Sequence, residues 1–307
     1  MKSYIVGIYP RSPKLIEATR VNDPKLSELF KVEKAKYMKI IKSKLTYVSD
    51  PMLEWNDMFR PFMNVKGISL GALNRFFETN TFYRKLVISD ELKGYGNVIA
   101  NNINIVKNKS AVSIADPYTF AELNENLYYK SYDEYLLTIS KMLNKEAKKL
   151  AEEGVVLIQL NAPAIAYNAE RLDNDKLALI KEAIENVKRR VSAKVYLHLY
   201  FGNITKIFSK LLDIRIDGLS IDLINNRGDD IMEYSMKGKG LTLGMIDAMN
   251  TRIEDLKIVK SIEKIIEKMN PSEAYLSTNT DLEFLPYEFA LKKINRLAEI
   301  AKRVKYE

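Results

Sequence analysis

Short runs of apolar, largely β-branched residues recur along the chain, and each is followed by polar residues and then by apolar positions at helical spacing. A strand signal alternating with a helix signal marks repeated βα units, because separated blocks of strands and helices would not interleave. The predicted strands are 3–8 (SYIVGI), 67–72 (GISLGA), 111–115 (AVSIA), 155–160 (VVLIQL), 194–199 (KVYLHL), 218–223 (GLSIDL), 241–246 (LTLGMI) and 273–278 (EAYLST). Predicted helices cover 133–153, 174–191, 254–269 and 287–304, each with an amphipathic repeat. Eight strands in this rhythm predict one α/β domain over residues 1–307, a single (β/α)₈ TIM barrel, whose usual size of about 250 residues leaves room for insertions.

The rhythm breaks once. Between the first and second predicted strands lie about sixty residues with Pro24, Pro51, Pro61 and the only tryptophan, Trp55. This stretch is expected to hold a helix and an inserted hairpin or lid. In a barrel, ligand chemistry belongs at the C-terminal ends of the strands. Those ends fall at 9–11, 74–80, 116–119, 161–163, 198–202, 222–226, 247–250 and 279–281, and they are polar with few charges.

Composition narrows the chemistry. Cysteine is absent and there is one histidine, which removes disulfides, thiolate nucleophiles and every cysteine-bearing zinc motif. No apolar run is long enough for a membrane span, and Pro10 interrupts the N-terminal run before a signal peptide could form, so the expected location is cytoplasmic with no membrane partner. Hydrophobic residues at 47% supply a core. The net charge of +8 is spread over amphipathic helices such as LIKEAIENVKRR, without a helix-turn-helix, zinc-finger, RNP or KH signature. No nucleic-acid partner is therefore expected, whereas an anionic small ligand or acidic protein would be attracted. Heavy Lys, Glu and Ile usage is consistent with a thermophile.

Several strand-end segments, in order along the chain, resemble the cobalamin-independent methionine synthase family. YIVGIYPR resembles its "GFPR" opening, NRFFETNTFYRKL its "FDTN" segment, DPYTFAEL its "GPYTF" strand end, and VVLIQLNAPAI stands where the family has "IQIDEPAL". VYLHLYFGNI resembles the "H-x-C" or "HTYFG" segment, LTLGMIDAMNTRIED the "GVVDARNTRIE" segment, and TNTDLEFLP the closing "PDCGL" or "DLEFLP" turn. The resemblance spans nearly the whole chain. It is strongest to the zinc-free N-terminal barrel of the two-barrel enzymes and to stand-alone archaeal barrels.

The resemblance implies a zinc ion held by a His, a Glu and two Cys, which turns the homocysteine thiol into a nucleophile. Carried over by position, the His matches His198, but the ligands that follow fall on Tyr200, Asp222 and about Thr280. A phenol and an alcohol are poor zinc ligands at neutral pH, so no metal site and no tightly bound cofactor are expected. His198 is either a remaining catalytic group or a hydrogen-bonded residue of the barrel mouth. Both acids of "IQIDEPAL" are also missing, replaced by Asn161 and Ala162. Asp247 survives with Asn250 beside it, as ligand contact or as loop brace.

The remaining candidates for ligand binding are Tyr9, Phe77, Thr79, Asn80, Tyr118, Gln159, Asn161, Tyr200 and Asn250, a set that suits a flat polar heterocycle such as a methylated pterin and equally suits a plug of the barrel. Arg11 and Lys14 are expected to meet the anionic tail of such a donor, or to face solvent. The resemblance therefore implies an accessory, donor-binding component of a two-chain methionine synthase, working with a zinc-bearing core chain. The alternatives are a stand-alone methyltransferase with a non-standard donor or acceptor, using His198, Asp222, Asp247 or Asp281, and a purely structural barrel.

Overall fold

The computed structural model describes residues 1–94, 96–226 and 228–306. Helix starts follow the capping chemistry written in the sequence. Ser12 accepts the Leu15 N–H ahead of Pro13, Asp116 accepts the Tyr118 and Thr119 N–H groups ahead of Pro117, Ser131 accepts from Glu134, and Asp173 accepts from Lys176. Each cap satisfies an N–H that the helix leaves without a partner. The elements in order are β1 (Lys2–Ser3), α1 (Pro13–Arg20), α2 (Leu26–Lys44), β2 (Ile68–Arg75), β3 (Phe82–Ile88), β4 (Ser110–Ala115), α3 (Pro117–Leu123), β5 (Glu125–Asn126) and α4 (Tyr132–Glu152). There follow β6 (Val155–Asn161), α5 (Pro163–Tyr167), α6 (Asn174–Lys188), β7 (Lys194–Leu199), α7 (Phe208–Leu212), β8 (Gly218–Asp222), α8 (Gly228–Ile231), β9 (Gly240–Ile246), α9 (Ile258–Met269), β10 (Ala274–Thr278) and α10 (Tyr287–Arg303).

Six predicted strands become β4, β6, β7, β8, β9 and β10, which with β1 form a curled parallel sheet in the order β1-β10-β9-β8-β7-β6-β4. Their near-continuous apolar runs fit strands buried on both faces, and every residue of β4, β8, β9 and β10 is buried. The helices cover the outer face with apolar stripes, as α4 does with Tyr135, Leu136, Ile139, Met142, Leu143, Ala147 and Leu150.

The predicted second strand is corrected. Residues 68–75 are not a member of this sheet; β2 pairs antiparallel with β3, and β3 pairs with β5, in a separate three-stranded sheet. Between β1 and β4 runs a shorter segment, residues 46–48. The N–H groups of Thr46 and Tyr47 donate to Ser3 O, Val48 N–H donates to Lys109 O, and Ala111 N–H donates to Val48 O. A single parallel bridge joins Val48 to Ser110. The expected insertion therefore lies after this segment, and the β2–β3 hairpin is its main element. Arg11 anchors it: its guanidinium donates to Leu53 O at 2.7 Å, Trp55 O at 3.3 Å and Asn56 Oδ1 at 2.9 Å. No described helix is long and apolar enough to cross a membrane.

The N-terminal end of the curled sheet is filled by Tyr4, Tyr196 and Tyr275, with ring centroids 5.7 Å apart in the Tyr4–Tyr275 and Tyr196–Tyr275 pairs. Glu273 accepts from the hydroxyls of Tyr196 and Tyr275 and pairs with Lys194. Tyr196 fits because two neighbours lack a side chain. A Cβ at Gly240 would lie 1.6 Å from its hydroxyl, and one at Gly218 would lie 2.4 Å from its ring. Gly240→Ala is therefore expected to lower the unfolding free energy by about 2 kcal/mol, with part of the loss recovered by adding Tyr196→Phe. An unchanged denaturation midpoint in Gly240→Ala would show that the ring yields at no cost.

Candidate functional site

Inside the sheet the side chains satisfy one another. The Tyr4 hydroxyl donates to Gln159 Oε1 at 3.0 Å and lies 2.9 Å from Thr242 Oγ1; the Gln159 amide donates to Asn161 Oδ1 at 3.0 Å. Asn161 lies beside Asp281 and favours its ionised form, and Asp281 accepts the Ile8 N–H at 3.2 Å. Asp281 comes so near the first strand that a Cβ at Gly7, whose φ is +90°, would lie 2.1 Å from it. Only glycine takes that conformation and that approach without strain. Burial raises the Asp281 carboxyl to about 7 against the N–H and amide bonds that favour its ionised form.

The positions that correspond to zinc ligands are committed elsewhere. His198 Nδ1 lies 2.8 Å from Ser220 Oγ, and its ring stacks on Tyr200 at 4.8 Å. Burial lowers its pKa to about 4, so the imidazole is neutral. Asp222 accepts from the Ile224 and Asn225 N–H groups, from the Asn225 amide at 2.5 Å and from the Asn279 amide at 3.3 Å. Tyr200 is a fully buried phenol held protonated by burial, with Asp281 and Glu283 adding to the effect. Thr280 offers a buried hydroxyl without a hydrogen-bond partner. Among the described residues no three His, Asp or Glu side chains converge as metal ligands would. This donor set does not fit a zinc ion.

Open space lies further out. A pocket of about 280 Å³ sits over the C-terminal ends of β7 to β10, lined by Phe77, Glu78, Thr79, Tyr167, Phe201, Ile224, Asn225, Asp247, Met249 and Asn279. Its roof is the tip of the β2–β3 hairpin. Phe77 meets Tyr167 at 5.1 Å and Phe201 at 5.6 Å, and the Tyr167 hydroxyl donates to Glu78 at 3.1 Å, latching the tip to α5. Phe77 and Phe201 both have positive φ, +47° and +69°. Bulky residues rarely adopt that region, and the hydrogen-bonded turn around Thr79 and the close approach of Gly202 to Ala166 O hold them there.

The floor is braced from behind. Asp247 accepts the Met249 N–H at 2.8 Å, while its own N–H donates to Glu254 Oε1 at 2.9 Å. Glu254 is held by Lys293, a fully buried ammonium that donates to Glu254 Oε1 and Arg252 O at 2.5 Å each.

The pocket gathers Phe77, Thr79 and Asp247 from the predicted residues. Gln159, Asn161, Tyr200 and His198 lie in the buried interior, none more than 2% exposed. Tyr9 packs against Tyr37 and Tyr287, Tyr118 lies on α3 near Asn168, and Arg11 braces the insertion. Asn80 accepts from Arg75 beside the hairpin turn, Asn250 accepts the Arg252 N–H, and Lys14 is exposed on α1. Glu78, Tyr167, Phe201, Ile224, Asn225, Met249 and Asn279 were not singled out in the sequence, although all but Tyr167 fall within the strand-end ranges read there. The available signal was large apolar residues just past polar strand ends: Ile224 and Met249, which follow β8 and β9, are each 45% exposed.

The chain matches the family described as "Cobalamin-independent synthase, N-terminal domain" over residues 64–270. It is 28% identical over 236 residues to a methionine synthase of Pyrococcus abyssi, covering 74% of this chain and 68% of that one. It is 24% identical to a methionine synthase of Saccharolobus islandicus, over 99% of this chain and 94% of that one. Among solved structures, the fold is similar to a B12-independent methionine synthase from Shewanella sp. in complex with selenomethionine (TM-score 0.71, 16% identity, 91% and 89% of the two chains). It is also similar to a putative vitamin-B12 independent methionine synthase from Listeria monocytogenes (TM-score 0.74, 15% identity, 100% and 99%).

Two variants test the site's electrostatics. The Asp281 value of about 7 lies above the ordinary 3.8. Between these values the folded state keeps a proton that the unfolded state has lost, so the contribution of Asp281 is greatest at low pH and falls as pH rises through this window. Asp281→Asn is therefore expected to gain on the parent by up to about 1.4 kcal/mol per pH unit across the window and to gain nothing further above it; parallel pH profiles in urea melts would refute the assignment. Lys293→Met strands the Glu254 carboxylate and is expected to cost about 3 kcal/mol, measured in the same melts at neutral pH, where a loss under about 1 kcal/mol would show that solvent reaches the pair.

Proposed function

The chain belongs to the cobalamin-independent methionine synthase family, and from that premise we propose that it is a zinc-free member that binds the methyl donor and acts with a zinc-bearing core chain. The reading takes the curled sheet, with residues 46–48 between its edges, as an eight-stranded barrel whose mouth is roofed by the hairpin. The observation that carries it is the division of the mouth. Of the positions of the metal ligands, His198 and Asp222 are tied by hydrogen bonds and Tyr200 and Thr280 are buried, while the space above them is walled by aromatic rings and edged by Asp247, Asn225 and Asn279.

That division suits a flat, polar heterocycle of the methylated pterin class. Phe77, Phe201 and Tyr167 offer ring faces and edges for packing, and a carboxylate with two amides can read the donor and acceptor groups along a ring edge. The hairpin tip excludes water above the ligand. Activation of a homocysteine thiol is the task of zinc in this family, and the core chain would supply it; this chain would hold and present the donor.

A second reading, a stand-alone methyltransferase, draws on Asp281. Its carboxyl is balanced near neutral pH at the strand ends, beside a Glu283 that burial and the neighbouring Asp281 and Asp57 push upward, which is the environment of an acid–base group. The two readings part in one experiment. Methionine formation from homocysteine and a methylated pterin is measured with this chain alone, a zinc-bearing core chain alone, and both. The mixture is expected to exceed the core alone, and Phe77→Ala and Phe201→Ala are each expected to weaken donor binding about tenfold, or about 1.4 kcal/mol. Turnover by this chain alone would establish the second reading, and donor binding unchanged in both variants would remove the pocket from the mechanism.

A further inference from the structure

Away from the mouth, α4 and α6 run side by side and end at the opposite pole of the sheet, just before β6 and β7 begin. There they enclose an open groove of about 440 Å³ lined by Lys141, Asn144, Lys145, Lys148, Asn186, Arg189 and Arg190: five cations, two amides and no acid. Lys141, Lys145 and Lys148 sit three and four residues apart, so they form one stripe along α4 about 10 Å long. Arg189 and Arg190 form the facing lip.

The lip is built into place. The Asn144 amide donates at 2.8 Å to both Val187 O and Arg189 O, fastening the end of α6 to α4. Arg190 then takes a left-handed backbone conformation, φ +59°, which a β-carbon disfavours. Cations near a helix C-terminus are ordinary, because they complement its dipole. Here Lys188 already fills that role, donating to Val191 O and Ala193 O and pairing with Asp217. Among the described residues Lys141, Lys148, Arg189 and Arg190 pair with no carboxylate, although nearby Lys149 and Arg215 do, with Glu153 and Glu185. Four charges are left facing one groove.

We propose that this groove is a docking site for an acidic segment of a partner protein. The groove takes carboxylates rather than a nucleic-acid backbone for two reasons on its own surface. Among the described residues no aromatic ring lines it for a base to stack on. In the cleft that continues from it Glu182 and Glu185 stand among the cations, Arg215 is paired with Glu185 and Lys188 with Asp217, so the run of cations without a carboxylate partner stops after about 10 Å. An extended peptide crosses that length in about three residues, whereas a longer phosphodiester chain would be carried on to cations that are already paired and to Glu182. The net charge of +8 opposes a second copy of this chain in the same role.

The test uses the whole chain and a fluorescein-labelled hexaglutamate peptide, read by fluorescence anisotropy, with tripolyphosphate and an oligothymidylate of equal charge as competitors. The peptide is expected to bind, to weaken about tenfold between low and moderate salt, and to weaken at least about tenfold in the double variant Lys141→Glu/Arg189→Glu. Lys141→Gln/Arg189→Gln should fall between the two, with thermal midpoints of both variants matching the parent. Equal binding by the charge-reversed variant, no binding by the parent, or better competition by the oligothymidylate or tripolyphosphate than by unlabelled hexaglutamate would each overturn the proposal. Donor binding at the mouth involves none of these residues, so its success or failure is read separately.

Discussion

A curled parallel sheet turns one face of every strand inward, and the side chains there must fill the space and satisfy each other without water. In this chain much of that filling is polar. Tyr4, with no exposed surface, carries a hydroxyl that has partners only because Gln159 and Thr242 stand on strands to either side, and Gln159 is aligned by Asn161, which reaches Asp281. An unsatisfied polar group in such a place costs several times what its hydrogen bond contributes. The column is thus fixed as a unit, and the tyrosines below it are fixed by the missing side chains of Gly218 and Gly240. The upper part of the column, Tyr4, Gln159 and Asn161, is occupied by its own hydrogen bonds. The pocket accordingly lies above the strand ends, in space made by the hairpin.

Strands β4 and β6 to β10, with helices α4, α6, α9 and α10, were legible in the sequence, because apolar runs of strand length and amphipathic repeats of helix length have different periods, whereas β5 and the short helices α3, α5, α7 and α8 are too brief to show one. The stretch 67–72 was misplaced for a physical reason. A hairpin strand and a barrel strand are both short, β-rich and bounded by turns, and periodicity does not say which sheet receives them. The segment that lies between β1 and β4, residues 46–48, is too short to carry any period. At the site, the residue types at strand ends were readable but their direction was not. Gln159, Asn161 and His198 point inward, whereas the pocket walls come from Phe201, Ile224 and Met249, one or a few positions beyond the strands. A shift of one residue at a strand end exchanges interior for mouth.

The buried Lys293–Glu254 pair shows how the distant helix α10 serves that mouth. Burying an ammonium and a carboxylate is costly, and replacing such a pair with apolar residues is often neutral for stability. What an apolar pair could not do is accept a backbone N–H. Glu254 Oε1 accepts that of Asp247, and Lys293 also holds Arg252 O, so the pair fixes both ends of the 247–252 turn that carries Asp247 and Met249 into the pocket. Its role is better described as positioning than as stabilisation.

The strained residues have a similar distribution. Two aromatic residues with left-handed backbone, Phe77 and Phe201, meet at the pocket wall, one from the hairpin tip and one from the turn after β7. Neither turn needs an aromatic side chain to close, and each would be relieved by glycine. Strain of this kind persists where the surrounding structure over-determines it, and the inference from strain to function runs from the observed outliers. Here the Tyr167–Glu78 bond, the Thr79 turn and the Gly202 contact all maintain it, and what they maintain is a pair of touching rings over a polar floor. A barrel kept only for its shape would gain from relaxing both turns. Retaining them keeps an aromatic wall beside the polar floor of Asn225, Asp247 and Asn279.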